Sequence, residues 1–415
     1  MAALAVVVAS LTIEGEAFAQ QQPASGPVDS TKVPQDLPPQ PAPQLDPLIS
    51  PDPLGFAYEP WNAFKKKLND DYGLKIEGSY TFHNQYATRV IDGGRNDELG
   101  GRLDLAANWT LLKYGDGPKQ DVGQLIVLMR SSENIGMRQD YAVSDAAGSI
   151  MGTNSLHGGG EQIPISLNLL YWRQTFMNQK FAVNIGKIHP NSWIDLSPIA
   201  NDETKQFMAG AYTGNLANPG QGLWVPGVAF EYNIDEHWYA NLVVANNEGR
   251  TGTSGLDGEW NFYEAAEVGY KVGGANQPDT PPGNYRLTVY HNDSDDGNGW
   301  GMSLGFDQEI ADGWTPFGRV GHVERDAGYI SDFVSFGVAN VRPFGRRADM
   351  FGIAGTYSRP SDRDLREELL FETFYRVKVT ENLEFSPDVQ WINHPALQPD
   401  VDNLFVLGAR LKILF

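Results

Sequence analysis

Arg102 and Asp104 stand two residues apart in a stretch whose interleaved positions, Leu103, Leu105 and Trp109, are apolar. The same arrangement recurs at Lys75 and Glu77 and at Arg410 and Lys412, and single acids hold equivalent places at Glu231, Glu267, Glu372, Glu384 and Asp388. A spacing of two puts such residues on one face of an extended strand. A face that mixes both signs favours neither cations nor anions strongly. Carboxylates and guanidinium forks exchange hydrogen bonds with hydroxyls, and Trp or Tyr faces cover apolar rings, so neutral polyhydroxylated solutes suit this lining. The competing reading is that these charges pair with one another and simply hold water and neighbouring strands in place.

Other chemistry lacks its residues. The chain has no cysteine, which removes thiolate metal sites, thiol nucleophiles and disulfide frameworks together. Neither Gly-x-Ser-x-Gly, His-Glu-x-x-His nor Gly-x-x-x-x-Gly-Lys occurs, and the histidines lie far apart. Asp293 to Gly299 resembles part of a calcium loop, but Leu304 stands where its final acid belongs. The net charge of −21 argues against a nucleic-acid partner. No enzyme, cofactor or metal is therefore expected.

The elements that must position these residues are strands. Gly 45 and Pro 26 in 415 residues, with 11% aromatics, suit many short strands joined by turns. After Gly73, Leu74, Ile76, Gly78, Tyr80 and Phe82 alternate with Lys75, Glu77, Ser79, Thr81 and His83. The alternation returns in Leu103 to Leu111, Leu167 to Tyr171, Phe181 to Ile185, Val228 to Tyr232, Tyr285 to Val289 and Trp300 to Phe306. It continues in Leu369 to Val377, Leu383 to Trp391 and Phe405 to Phe415. About sixteen such segments, each near the ten residues a tilted strand needs, predict an all-β fold, a closed transmembrane antiparallel β-barrel.

Connection lengths support this. Met177 to Lys180, Asn233 to Glu236, Ala311 to Trp314 and Thr380 to Leu383 are tight, whereas Val90 to Gly100, Ser132 to Gln162, His189 to Trp224 and Asn247 to Glu259 are long. Short periplasmic turns and longer extracellular loops are the rule for bacterial outer-membrane barrels. Gly273 to Gly283 breaks the pattern, and in the last third the two sets differ little. Tyr171, Trp238, Tyr270, Trp300, Tyr375 and Trp391 are placed for interfacial girdles.

Before the barrel, an apolar run from Met1 to Thr12 and the small-x-small pattern Ala17-Phe18-Ala19 read as a signal peptide over 1–19, although no Lys or Arg precedes the run. Residues 20–60 are Pro-rich and expected to form a disordered periplasmic arm able to contact a periplasmic partner. Residues 61–71, with Phe64, Leu68 and three lysines, predict a short amphipathic helix, and the barrel occupies 72–415.

The terminal Phe415 resembles the closing aromatic of outer-membrane proteins. Phe371 to Tyr375, followed by Leu383 to Pro395 with its Pro387-Asp388-Val389-Gln390-Trp391, resembles the C-terminal hallmark of the carbohydrate-selective, OprB-type porins. Gly100 to Leu105 and Gln174 to Lys187 resemble two further pieces, so the resemblance runs from roughly Tyr72 to Phe415. It implies a sixteen-stranded barrel in the outer-membrane lipid, narrowed by inward loops, through which glucose-like sugars or small oligosaccharides diffuse passively, as a monomer or homotrimer. Ser132 to Gln162 and His189 to Trp224 are the expected constricting loops. Arg102 and Asp104 would line the narrow zone, with Glu77, Arg130, Asp388 and Gln390 on the same lining. Lys187 would join them only if Gly186 bulges, and Pro387 is expected to cause a bulge of its own. The alternatives are a general or ion-selective porin, or an outer-membrane enzyme or adhesin.

Overall fold

The structure, a computed structural model, describes residues 47–415 apart from 118, 137–141, 157–161, 250–259, 274–279 and 295–296. The expected signal peptide and most of the Pro-rich arm lie outside the described residues. A helix, α1 (Gly55–Tyr72), leads into sixteen strands. The first eight are β1 (Leu74–Ala87), β2 (Asp97–Tyr114), β3 (Asp121–Asn134), β4 (Ile163–Phe176), β5 (Phe181–Ile188), β6 (Val225–Asn233), β7 (Trp238–Asn246) and β8 (Phe262–Val272). The rest are β9 (Gly283–Ser294), β10 (Gly297–Gln308), β11 (Trp314–Val323), β12 (Ile330–Asn340), β13 (Met350–Pro360), β14 (Glu368–Thr380), β15 (Leu383–Asn393) and β16 (Asn403–Leu414).

Every strand pairs antiparallel with its sequence neighbours, and β1 closes on β16 from Ser79 opposite Leu414 to Ala87 opposite Val406. Closure follows from the alternation: outward positions such as Leu287, Leu304, Phe405 and Leu407 remain exposed, while their neighbours Thr288, Ser303, Leu404 and Val406 are buried. An apolar outer face and an inner polar one suit a barrel whose outside is lipid. One end carries the connections 115–120, 177–180, 234–237 and 381–382, and the other carries 135–162, 189–224 and 247–261. On that second end two residues separate β9 from β10, so the lengths do converge late in the chain.

Three expectations are corrected, and the condition set at Gly186 is not met. The helix begins at Gly55 and not at Trp61, and it runs through Pro60, whose missing donor is tolerated where the exposed carbonyl of Phe56 can bond to water. Tyr171 is no girdle residue. Leu167 pairs with Met129 and Leu169 with Leu128, so Asn168 is an inserted residue that reverses parity and turns Tyr171 inward. Pro387 causes no bulge, since pairing with β16 runs unshifted from Leu383 to Asn393; the missing donor costs pairing to β14 around Tyr375 and Arg376 and nothing more. At Gly186 the pairing of β5 with β4 and β6 is likewise unshifted.

Candidate functional site

The interior of the barrel is occupied by two of its own connections. Residues 189–224 leave β5 and fold inward as a segment with almost every side chain buried. Their apolar residues form the middle of the buried cluster: Phe207 packs on Phe317 and Phe374 with ring centroids 5.7 and 4.9 Å apart, and Trp193 meets Tyr171 at 5.6 Å. The polar residues of the segment bond to the barrel wall on nearly opposite sides. On one side Arg102 of β2 donates to Glu203 Oε1 at 2.5 Å, Arg410 of β16 to the carbonyls of Glu203 and Gln206, and Lys412 to Thr204 at 2.6 Å. On the other, Arg319 of β11 donates to Asp195 Oδ1 at 3.1 Å, the Ala200 carbonyl at 2.6 Å and the Tyr212 carbonyl at 2.9 Å. Strands β2 and β11 stand seven places apart in a ring of sixteen, so the segment spans the lumen.

Residues 142–156 hold a second position against β1, β2, β14 and β15. Glu98 accepts from the Val143 amide at 2.6 Å and from Asn154 at 2.7 Å. Gln85 and Gln390 both donate to the Thr153 carbonyl at 2.8 Å, and Glu368 accepts from Ser149 and from the Ile150 amide.

Arg102, Asp104 and Arg130 come together as parity required. Asp104 accepts from Arg102 Nε at 2.9 Å and from Arg130 Nε at 2.8 Å, while the Arg130 guanidinium lies 5.2 Å from the ring centroid of Trp224. Mutual pairing, the competing reading, thus describes these charges well. Several buried atoms of the cluster nevertheless have no protein partner: Arg102 Nη2, Arg130 Nη2, Glu203 Oε2, Asp388 Oδ2 and Gln390 Oε1. Gln390 donates to Asp388 at 3.1 Å, and Asp388 lies beside Glu372, whose carboxylate accepts from the Met208 and Ala209 amides. Glu77 shares the inward parity of Ser79 and Thr81 but sits exposed toward the short-turn end. Lys187 is not brought to this cluster. It pairs with Leu170 and Pro226, keeps the outward parity of Ile185 and is half-buried. Gly186 has φ +145°, and a Cβ there would lie 2.2 Å from the Leu170 carbonyl, so the strand is distorted without a residue being inserted.

Burial and neighbours set the ionisation of the inward segment. Burial pushes Glu203 up to about 7 against the pull of Arg102 and Arg130. Asp202 is only partly buried, and Lys205 and Lys412 hold it well below the usual carboxylate range. Burial lowers His189 to about 4, so it is neutral and stacks on Trp224 at 4.5 Å. Among the described residues no cluster of His, Asp and Glu could hold a metal.

The second anchor of the segment was not singled out from sequence. Arg286 and Asp307, paired at 2.6 Å next to Asp195 and Arg319, alternate with Tyr285, Leu287 and Phe306, and parity alone would have turned them inward. Asp195 and Glu203 lie in a segment without periodicity, which carried no such signal.

A family model for the carbohydrate-selective porin, OprB family, matches residues 135–298 and 241–415. The high-pH structure of Pseudomonas putida OprB superposes with a TM-score of 0.67 at 16% identity, covering 86% of this chain and 97% of that one. Its low-pH structure gives 0.54 at 14% identity over the same shares. Porin AaxA of Chlamydia felis is 29% identical over 117 residues, and the chain spans only 26% of that relative's length. The closed sixteen-stranded barrel and the match over most of its length agree, and the chain belongs to the carbohydrate-selective porin, OprB family, as an outer-membrane channel and not an enzyme.

Proposed function

We propose that the protein lets neutral sugars of glucose size, and small oligosaccharides, diffuse passively past the segment 189–224. The observation that carries this reading is the segment itself, tied across the lumen by Arg102 and Arg319 so that solutes must pass beside it. Both signs interleave at this level: Arg102 and Arg130 face Asp104 and Glu203, Arg319 faces Asp195, and Arg410 and Lys412 lie near Asp388 and Asp202. A lining of interleaved sign offers little preference to ions. The Nη2 atoms of Arg102 and Arg130 and Oε1 of Gln390 are buried without a protein partner, so they reach a sugar hydroxyl only when the segment shifts to uncover them. Aqueous diffusion past fixed hydrogen-bonding groups needs no energy source, since entry and exit use the same weak sites.

Single-channel recording in planar bilayers tests the reading. Glucose and maltose at increasing concentration are expected to reduce the ionic conductance saturably, with a reversal potential near zero in a salt gradient. A large reversal potential without sugar block would favour a general ion-selective porin instead.

A further inference from the structure

Helix α1 buries none of its residues, although it is rich in apolar ones. Trp61, Phe64, Leu68 and Tyr72 recur on one face at helical spacing, and Trp61, Phe64 and Tyr72 are exposed. The chain leading to it adds exposed Leu48, Ile49, Leu54 and Phe56. Lys65, Lys66 and Lys67 interrupt this surface on a helix that also carries Glu59, Asp70 and Asp71; Lys66 pairs with Asp70, and the Lys65 ammonium sits 5.8 Å from the Trp61 ring centroid. A water-facing helix has no reason to combine these features.

Its placement explains them. Tyr72 passes through Gly73 into β1, and Gly73 accepts from the Thr110 amide at 2.9 Å. The Trp109 indole of the outward face donates to the Tyr72 carbonyl at 3.1 Å. Below that height β2 still exposes Leu111, Leu112 and Tyr114, so the helix meets the barrel within the margin of its lipid-facing belt. At the other end, the Leu48 and Ile49 amides donate to the carbonyls of Lys378 and Val379 at 3.0 and 2.9 Å, on the same rim of the barrel. An 18-residue helix is about 27 Å long, whereas the residues from Ile49 to Gly55 span at most about 20 Å. The helix therefore cannot stand out along the barrel axis and must lie across the rim.

We infer that α1 is an interfacial anchor, which lays Trp61, Phe64 and Leu68 into the membrane leaflet at the short-turn end of the barrel and sets Lys65 and Lys67 against anionic phospholipid headgroups. Long lysine stems can lie along the apolar boundary while their ammonium groups reach the phosphates. The anchor fixes the depth of the rim and keeps the preceding arm close to the membrane surface.

The chain's lack of cysteine makes the test direct. Phe64→Cys and Asn62→Cys, on the apolar and polar sides of the helix, are labelled with an environment-sensitive fluorophore and the full chain is refolded into vesicles. The vesicles are phosphatidylcholine alone or phosphatidylcholine mixed with phosphatidylglycerol. The label at 64 should be severalfold less open to iodide than that at 62, quenched by spin-labelled lipid, and better protected in the anionic vesicles. Adding Lys65→Gln and Lys67→Gln should remove the anionic advantage, each charge being worth about fivefold in partition. Equal iodide access at 62 and 64 would overturn the anchor. So would disulfide pairing of unlabelled Phe64→Cys chains, which would mean that a second copy covers the face. Protection from iodide without quenching by spin-labelled lipid would mean that the barrel mouth covers it, and would equally overturn the proposal.

Discussion

Arg102 is the residue on which the lumen argument turns, since it joins the barrel wall, through Asp104, to the inward segment, through Glu203. Replacing it with alanine leaves two buried carboxylates with one cation fewer. Removing one partner of a buried pair costs about 3–5 kcal/mol where the other cannot rehydrate. In a lumen the segment can shift toward water, so Arg102→Ala should loosen 189–224, raise single-channel conductance, tilt selectivity toward cations and weaken sugar block. Unchanged block affinity would leave Arg102 as a strut with no part in recognition. Glu203 gives the same site a pH dependence. Its carboxyl, raised to about 7 by burial, loses its charge as pH falls, whereas Asp202 stays ionised. Reversal potentials should therefore move from near zero toward anion preference between about pH 8 and about pH 6, by about one unit of fixed charge, and Glu203→Gln should flatten the change. Arg102, Asp104 and Asp388 were legible because parity fixes which way a strand residue points. Glu203 and Asp195 were not, because their positions depend on how a nonperiodic segment packs against distant strands.

At the scale of elements, the strands were read where alternation was clean and misread where one residue was inserted. Asn168 is the instructive case: one extra residue in β4 carries Tyr171 from the expected outer girdle to the inner cluster beside Trp193. Nothing in the local pattern of Leu167, Leu169 and Tyr171 announces it, since the parity of a strand is decided by pairing with its neighbour. The final strand was easier. Phe415 exchanges both backbone hydrogen bonds with Gly78, at 3.0 and 3.1 Å, and its ring covers Gly78, where a Cβ would lie 2.3 Å from a ring carbon. Deleting Phe415 removes the last rung that joins the first and last strands. The yield of heat-modifiable, assembled barrel should drop severalfold while precursor synthesis is unchanged, as read by cold and boiled electrophoresis of outer-membrane fractions. Wild-type yield would mean that closure from Ser79 to Ala87 suffices without this rung.

For the whole molecule, the sheet is closed, its outside is an apolar belt, and its inside is bridged by chain that belongs to the connections. The outer architecture was legible because lipid on one side and water on the other impose period two on every strand. The amount of interior that two connections fill was not, because burial inside a barrel mixes Trp193, Phe207 and Trp224 with charged side chains and leaves no single period. The proposed function requires that a route for neutral sugars remain beside that filling. Liposome swelling tests it most directly, with refolded protein in vesicles placed in isotonic solutions of arabinose, glucose, maltose, raffinose and a charged sugar acid. Neutral monosaccharides are expected to cause swelling, larger sugars to cause steeply slower swelling, and the charged solute to show no large advantage. Swelling with small ions alone, or equal rates for all the sugars regardless of size, would contradict that function.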